Sequence, residues 1–164
     1  MTAPACILKD VSYEITKQER DSDAYFTVRW SPLIKADKYV INKQVPTVAG
    51  ITELYLQDTP GKMNLYTVVR SYYGGLRATL RSATDPELEK DERRRTILLL
   101  HEDKIFFRYS CIESQDDMTD IIFFFMSTYA PDIPPYPNSG RYEKIYLKER
   151  SEERRVGKEC RSRW

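Results

Sequence analysis

The chain has 164 residues, a mass of 19.3 kDa and a formal net charge of +1, with 41% hydrophobic and 31% charged residues. This length fits one domain with its own core, and the composition excludes disorder over most of the chain. No stretch reaches the roughly 18 consecutive apolar residues that a membrane-spanning helix needs, so no membrane partner is expected. The N-terminal MTAPACILKD also lacks the basic and apolar segments of a secretory signal peptide.

Short stretches rich in Val, Ile, Tyr, Phe and Thr recur along the chain and predict strands. The predicted strands are 11–16, 24–30, 38–43, 51–57, 64–71, 76–82, 96–101, 104–111 and 120–127. Turn residues lie between several of them: Pro60-Gly61 fits the centre of a type II turn, and Gly74-Gly75 fits a two-residue hairpin. Short strands at this spacing predict an all-β sandwich or barrel.

Two segments have helical features. Residues 85–95 begin with Asp85 and Pro86, a helix start signal, but they lack an apolar face, so a solvated loop with about one helical turn is expected. Residues 140–149 carry apolar side chains at helical spacing and predict the first turns of an amphipathic helix. The four prolines of 130–140 predict an extended connector to this helix.

The last fifteen residues, RSEERRVGKECRSRW, differ from the rest of the chain. They hold six of the 26 basic and three of the 25 acidic residues, which leaves 20 basic and 22 acidic residues and a formal charge of −2 for 1–149. This segment resembles the in-frame translation of a common sequencing adapter. We therefore interpret 1–149 as a single domain that is incomplete at its C-terminus, and 150–164 as an artefactual or disordered tail. The charge of 1–149 indicates no nucleic-acid partner.

Few residues are suited to catalysis or to metal binding. His101 is the one histidine, and Cys6 and Cys111 are the cysteines outside the tail, which is too few nitrogen and sulfur ligands for a usual zinc site. The acidic stretch CIESQDDMTD (111–120) lacks the fixed glycine of a calcium-binding loop, and a solvated hairpin loop explains it. We expect a protein that is not an enzyme and that has no cofactor or metal.

The stretch 95–147 resembles the lipocalin family, particularly its arthropod and apolipoprotein D-like branch. In that branch two strands flank a polar turn and the second ends in Tyr-x-Cys; here 101–103 stand at the turn, and Tyr109 and Cys111 match the motif. The resemblance implies an eight-stranded up-and-down antiparallel barrel, followed by the start of a C-terminal helix. It also implies a Cys6–Cys111 disulfide and secretion to the extracellular space.

A barrel of this kind implies binding and transport of a small hydrophobic ligand of retinoid, fatty-acid or pigment type. Alternation along the predicted strands selects the side chains that would face the cavity. They are Tyr66, Val68, Ile105, Phe107, Tyr109, Phe123 and Phe125. Ordinary core packing is the alternative interpretation of each of these residues.

A second resemblance points to another class of protein. Residues 25–41 followed by 65–77 resemble a fibronectin type III sandwich, with Trp30 as the core tryptophan and Tyr66 on a late strand. This alternative predicts an adhesion or receptor interaction module over 7–84. A barrel predicts one closed core for the whole chain, whereas the sandwich predicts two cores.

Overall fold

The computed structural model describes residues 13–59, 61–129 and 137–151, and within them it contains seven strands and four helices. The strands are β1 (Ile15–Arg20), β2 (Asp23–Trp30), β3 (Ile34–Lys35), β4 (Gly50–Thr59), β5 (Lys62–Ser71), β6 (Ile105–Cys111) and β7 (Lys144–Ser151). The helices are α1 (Lys38–Gln44), α2 (Gly75–Ala83), α3 (Glu92–Leu100) and α4 (Gln115–Tyr129). Helix α1 precedes β4, α2 and α3 connect β5 to β6, and α4 precedes β7.

The strands form two open sheets. The first has the order β1-β2-β7, with β1 antiparallel and β7 parallel to β2. The second has the order β3-β6-β4-β5 and is antiparallel throughout. The mainly β character predicted from the sequence is confirmed, but the described strands do not close into a barrel, so the predicted eight-stranded barrel is wrong.

Backbone hydrogen bonds join the two sheets where β2 passes β6. The Ser31 amide donates to the Tyr109 carbonyl at 2.9 Å, and the Cys111 amide donates to the Tyr13 carbonyl at 2.7 Å. The Ser31 hydroxyl oxygen also accepts from the Tyr109 amide at 3.0 Å. These bonds satisfy backbone groups where the two sheets meet.

The four-stranded sheet is covered on both faces by two separate cores. On one face α1, α2 and α3 pack over a core that includes Leu54, Leu80 and Phe107. On the other face, α4 and the inner face of the three-stranded sheet form a second core that includes Phe26 and Phe125. Along β2 the inward side chains are buried and the intervening ones are partly or fully exposed, as expected for a sheet with one face on a core.

Four predicted strands are helices: 38–43 lies in α1, 76–82 in α2, nearly all of 96–101 in α3 and 120–127 in α4. Capping side chains account for three of them. Asp37 accepts hydrogen bonds from the first-turn amides of α1, Asp91 from that of Arg94 in α3, and Ser114 from that of Asp117 in α4. Each cap satisfies amides that a helix start leaves without an intrahelical partner, so the helix is favoured over a strand.

The predicted turns have mixed outcomes. The turn at 58–62 is confirmed as the β4–β5 hairpin, with Gly61 at φ +83°; Pro60 lies outside the described residues. The predicted hairpin at Gly74-Gly75 is wrong, because Gly74 is the left-handed N-cap of α2. Both glycines have positive φ values, but the chain continues into a helix rather than returning as a strand.

Two further predictions have different outcomes. The predicted helix at 140–149 is largely β7. The segment 85–95 is a loop that ends in the first turn of α3, from Glu92, as expected for a loop with about one helical turn. The alternative of a separate fibronectin-like sandwich over 7–84 does not match, because β7 completes the first sheet and β6 lies inside the second. In the described part of the chain no helix is long and apolar enough to cross a membrane.

Candidate binding face on the three-stranded sheet

The outward face of the three-stranded sheet carries polar, cationic and aromatic side chains. Side chains alternate along each strand, so every second residue of β1, β2 and β7 points away from the core. We define the basic face as these outward residues. They are Thr16, Gln18 and Arg20 on β1, Asp23, Tyr25, Thr27 and Arg29 on β2, and Lys144, Tyr146, Lys148 and Arg150 on β7.

The basic face, apart from Asp23, Lys144 and Tyr146, lines an open basin of about 1050 Å³. Among the described residues, five cationic side chains and one acidic side chain, that of Glu14, line this basin. Four of the cations belong to the basic face and the fifth, Lys17, lies at its margin. Asp23 lies in register between Arg20 and Lys144 at one end of the sheet and offsets part of their positive charge. The local positive charge therefore exceeds what the net charge of the chain indicates.

Two tyrosines stand together on the basic face. Tyr25 and Tyr146 are a register pair on the parallel strands β2 and β7, and their rings are stacked with centroids 4.9 Å apart and planes 13° apart. The Cζ atom of Arg20 lies 5.3 Å from the centroid of the Tyr25 ring. Arg20 reaches Tyr25 from β1 and Tyr146 reaches it from β7, so the two neighbours lie on opposite sides of the Tyr25 ring.

A buried charge network lies beneath this sheet. Arg108 on β6 is 2% exposed; its Nε donates to Glu53 at 2.8 Å and its Nη2 donates to Glu149 at 3.4 Å. Glu149 also accepts from the Trp30 indole at 2.9 Å and from the Tyr129 hydroxyl at 3.1 Å. The network thus joins the first sheet to the second sheet and to the end of α4.

Electrostatics favour the charged form of Arg108 despite its burial. Desolvation opposes that form, but the adjacent Glu53 carboxylate and the other acidic groups outweigh it, so the pKa of Arg108 is raised. Burial, reinforced by the Glu53 charge, raises the pKa of the Tyr55 hydroxyl, which donates to Glu53. The Arg108 guanidinium also lies over the Trp30 ring, with Cζ 4.8 Å from its centroid. The network is a structural anchor, since its groups are engaged with one another inside the protein.

This anchor determines which side chains of β7 reach solvent. With Glu149 and Leu147 directed inward, Tyr146, Lys148 and Arg150 must point outward. A one-residue slip of β7 would exchange the two sets and bury the cations. The register of β7 therefore determines both which of its side chains join the buried network and which belong to the basic face.

A second polar cluster holds β1 and the segment before β7 against α4. The buried Asp120 accepts from the Ser139 amide and hydroxyl, both at 2.8 Å, and from Arg141 at 2.7 Å. Asp117 accepts from Arg141 at 2.8 Å and from Lys17 at 3.0 Å. Burial opposes the charged forms of both cations, but hydrogen bonds outweigh it, and the pKa of Lys17 and of Arg141 is raised. These carboxylates belong to the stretch predicted to be a solvated hairpin loop, which is wrong.

The residues predicted to line a ligand cavity lie in different places. Tyr66, Ile105, Phe107 and Tyr109 pack in or against the core beneath α1–α3, whereas Val68 and Phe125 belong to the core between the sheets. Phe123 is a half-buried residue of α4. The four-stranded sheet separates the two groups, so they do not surround one cavity.

Cys111 is a free, half-buried thiol, and burial raises its pKa to about 11. Its predicted disulfide partner, Cys6, lies outside the described residues, so the pairing stays a prediction. His101 is the C-cap residue of α3 rather than part of a polar turn between two strands. Within the described ranges, no group of three or more His, Cys, Asp or Glu side chains is arranged to hold a metal ion.

The sequence does contain a signal for the basic face. In 144–151 the residues Ile145, Leu147 and Glu149 alternate with Tyr146, Lys148 and Arg150, which is a strand pattern. Two interpretations concealed it, because 140–149 was predicted as a helix and Arg150 was assigned to the tail. The pairing of β1, β2 and β7 in one sheet depends on the tertiary structure, and the spacing of residues within one segment does not predict it.

The fold and this face define a mainly β protein of two open sheets and, in the described residues, four helices, with a basic, aromatic surface on the smaller sheet. A family model described as "Uncharacterised protein" matches residues 14–161, and the chain belongs to that family. The resemblance to lipocalins is therefore wrong. The match runs through 150–161, and the interpretation of this segment as adapter sequence stays a prediction. Among curated proteins and solved structures, none matches the chain significantly.

Proposed function

We propose that the protein is a binding module that holds a polyanion on the basic face of its three-stranded sheet. The observation that carries the proposal is the gathering of Arg20, Arg29, Lys148 and Arg150 on one open face, over a basin whose lining, in the part of the chain that the structure describes, includes one acidic residue, Glu14. Residues 1–149 have a formal charge of −2, so this gathering is an arrangement of the fold and not a consequence of composition.

The spacing of the cations favours a ligand with several anionic groups. Arg20 lies at one end of the face, in register with Asp23, whereas Arg29 and Arg150 lie near the other end, six residues or roughly 20 Å further along β2. A single small anion contacts one or two of these cations. A chain of anionic groups laid along the face contacts all of them, and each contact releases counterions from the ligand.

The proposal does not depend on Arg150, which lies in the segment that resembles an adapter translation. Without it, Arg20, Arg29 and Lys148 still place one cation on each of the three strands. The proposal concerns binding rather than catalysis, because Glu53 and Glu149 are engaged with Arg108 beneath the sheet and do not reach this face.

A small hydrophobic ligand remains an expectation from the sequence. The side chains predicted to line its cavity are divided between two cores, so they do not support that ligand as a group. The basic face supports a different ligand class, with contacts that are electrostatic rather than apolar.

The test measures binding of long-chain polyphosphate to the full chain and to two charge-reversal variants. The first variant is Arg20→Glu/Arg29→Glu on the basic face. The control is Lys43→Glu/Lys62→Glu, which changes the net charge by the same amount at two exposed lysines on α1 and β5. Circular dichroism establishes that both variants are folded.

We expect the basic-face variant to bind polyphosphate at least tenfold more weakly than the unmodified protein, with the control within threefold. About four charge contacts also imply a loss of roughly 50-fold in affinity when salt rises from about 50 to about 200 mM. Failure of the unmodified protein to bind polyphosphate at low salt, or an equal loss in both variants, contradicts the proposal.

A further inference from the structure

Building on the proposed function, we infer that the polyanion is a single-stranded nucleic acid and that one of its bases stacks on the ring of Tyr146. The juxtaposition that carries the inference is the aromatic pair Tyr25–Tyr146 in the middle of a cationic sheet face. Cations alone bind any polyanion, whereas stacked rings beside them add a contact that only an aromatic ligand group completes.

The geometry identifies which ring receives the base. Tyr25 has Arg20 on one side and Tyr146 on the other, so both faces of its ring are occupied. Tyr146 lies on β7, an edge strand of the three-stranded sheet. The side of its ring away from Tyr25 therefore faces the edge of the sheet. A base placed there stacks on the Tyr146 ring and continues the stack formed by Arg20, Tyr25 and Tyr146.

The surrounding side chains fit the remainder of a nucleotide. Lys148 follows Tyr146 by two residues on the same face of β7, roughly 7 Å away, within reach of the phosphate of a nucleotide stacked on Tyr146. Thr27 and Gln18 on the neighbouring strands supply hydroxyl and amide groups for sugar and base edges. The ligand thus meets cations, a stacking surface and polar groups on one face.

An open sheet favours a single strand over a duplex. In a duplex the bases are stacked on one another and their faces are closed to a protein ring, so only the phosphates would contact the basic face. In a single strand the base faces are available, and a flat surface can receive them without bending the nucleic acid. Sulfated sugars and polyphosphate lack an aromatic group and gain nothing from Tyr146.

The inference differs from the expectation, drawn from the charge of residues 1–149, that nucleic acid is not a partner. That expectation averages charge over the whole surface, whereas binding depends on the field at one face. The two views predict different outcomes for the same titration.

The experiment measures binding of a fluorescein-labelled oligothymidylate of about 15 nucleotides, a length that matches the upper site size of single-strand-binding domains. Polyphosphate and a duplex of the same length are titrated in parallel. The variants are Tyr146→Ala, Tyr146→Phe and Tyr146→Trp. Tyr39→Ala is the matched control, because Tyr39 is 72% exposed on α1, outside the basic face.

We expect Tyr146→Ala to weaken oligothymidylate binding between about 5-fold and 150-fold, the effect of removing one base-stacking ring. Polyphosphate binding should change less than twofold, and Tyr39→Ala should change neither. Tyr146→Phe should bind like the unmodified protein. In Tyr146→Trp, oligothymidylate and not polyphosphate should quench the fluorescence that the new indole adds, which gives a readout even where the alanine variant fails to fold.

The outcomes separate the inference from the proposed function. Absence of binding to polyphosphate and oligothymidylate alike contradicts the proposed function itself. Two outcomes overturn the nucleic-acid inference alone, provided that polyphosphate binds to the unmodified protein. In the first, Tyr146→Ala weakens the binding of polyphosphate and of oligothymidylate equally. In the second, the duplex binds more tightly than the single strand. An unchanged indole fluorescence on addition of oligothymidylate overturns it as well.

Discussion

The carboxylate of Glu149 accepts a hydrogen bond from the indole of Trp30 at 2.9 Å, and the two residues lie on the parallel strands β7 and β2. The same carboxylate oxygen contacts the Arg108 guanidinium at 3.4 Å. Glu149 therefore ties β7 both to its neighbour in the first sheet and to the second sheet. Because this holds the register of β7, it also holds Tyr146 and Lys148 on the outward face.

Replacing Glu149 should therefore destabilise the whole domain. We expect Glu149→Ala to lower the free energy of unfolding by about 3 kcal/mol, since it removes a buried carboxylate that satisfies three donors. Urea denaturation measures this loss. Glu143→Ala, an exposed position just before β7, is the control and should cost less than about 0.5 kcal/mol. Equal stability of the Glu149 variant and the control would show that the network does not anchor the strand.

Arg108 should be more costly to remove alone than together with a partner carboxylate. We expect Arg108→Met to cost about 3–5 kcal/mol, because Glu53 and Glu149 remain buried without a counter-charge. Adding Glu53→Gln should restore part of that loss, since the second change removes one uncompensated charge. A double-mutant cycle by urea denaturation measures the coupling, and additive losses would contradict a shared network.

Gly75 should tolerate no side chain. It has φ +82°, and a Cβ atom placed there would lie 1.9 Å from the carbonyl oxygen of Thr47. We expect Gly75→Ala to lower the free energy of unfolding by more than about 3 kcal/mol. Gly61→Ala is a matched control with φ +83° and no atom within 4 Å of the added Cβ, and it should cost only about 1–2 kcal/mol. Similar losses at both glycines would mean that the contact with Thr47 relaxes freely.

The thiol of Cys111 should react slowly in the folded protein. Burial raises its pKa to about 11, so the reactive thiolate is rare near neutral pH. The same shift implies that its contribution to stability is present below about pH 9 and is lost as pH rises towards 11.

The rate of reaction with Ellman's reagent at neutral pH tests whether the Cys111 thiol is protected in the folded protein. We expect slow labelling of Cys111 in the native protein, identified by mass spectrometry. In denaturant without reductant, all three cysteines of the chain should react. Labelling of Cys160 alone would instead establish the Cys6–Cys111 disulfide that the lipocalin resemblance implied.

Strands with clear alternation and a nearby partner could be predicted from the sequence. β2, β4, β5 and β6 match four of the predicted segments, and the hairpin at Gly61 joins two of them. The error in α4 has a physical cause. Its run IIFFFM packs in the core between the sheets and is apolar throughout. Such a run shows neither the 3.6-residue period of a helix nor the two-residue alternation of a strand, so the sequence does not distinguish the two. In α1 and α3, the capping residues Asp37 and Asp91 were the overlooked signals.

The binding face could not be predicted for a different reason. Its strands β1 and β2 are adjacent in sequence, but β7 joins them from more than a hundred residues away, with Ala24 opposite Ile145 in register. Local spacing in 140–149 fits a helix as well as a strand, and only the parallel partner β2 decides between them. The sequence therefore predicts the strand that carries Tyr25 and Arg29, but it does not identify the face that this strand forms with β1 and β7.

The salt dependence of polyphosphate binding tests the central claim most directly, because it counts the charge contacts that the basic face makes. For the unmodified protein, the logarithm of the binding constant should fall against the logarithm of salt concentration with a slope near about −3. Arg20→Ala/Arg29→Ala should reduce the magnitude of that slope by about 1.5 to 2, which reports the loss of two contacts. An unchanged slope in this variant would contradict the account, since it would place the polyanion on another surface.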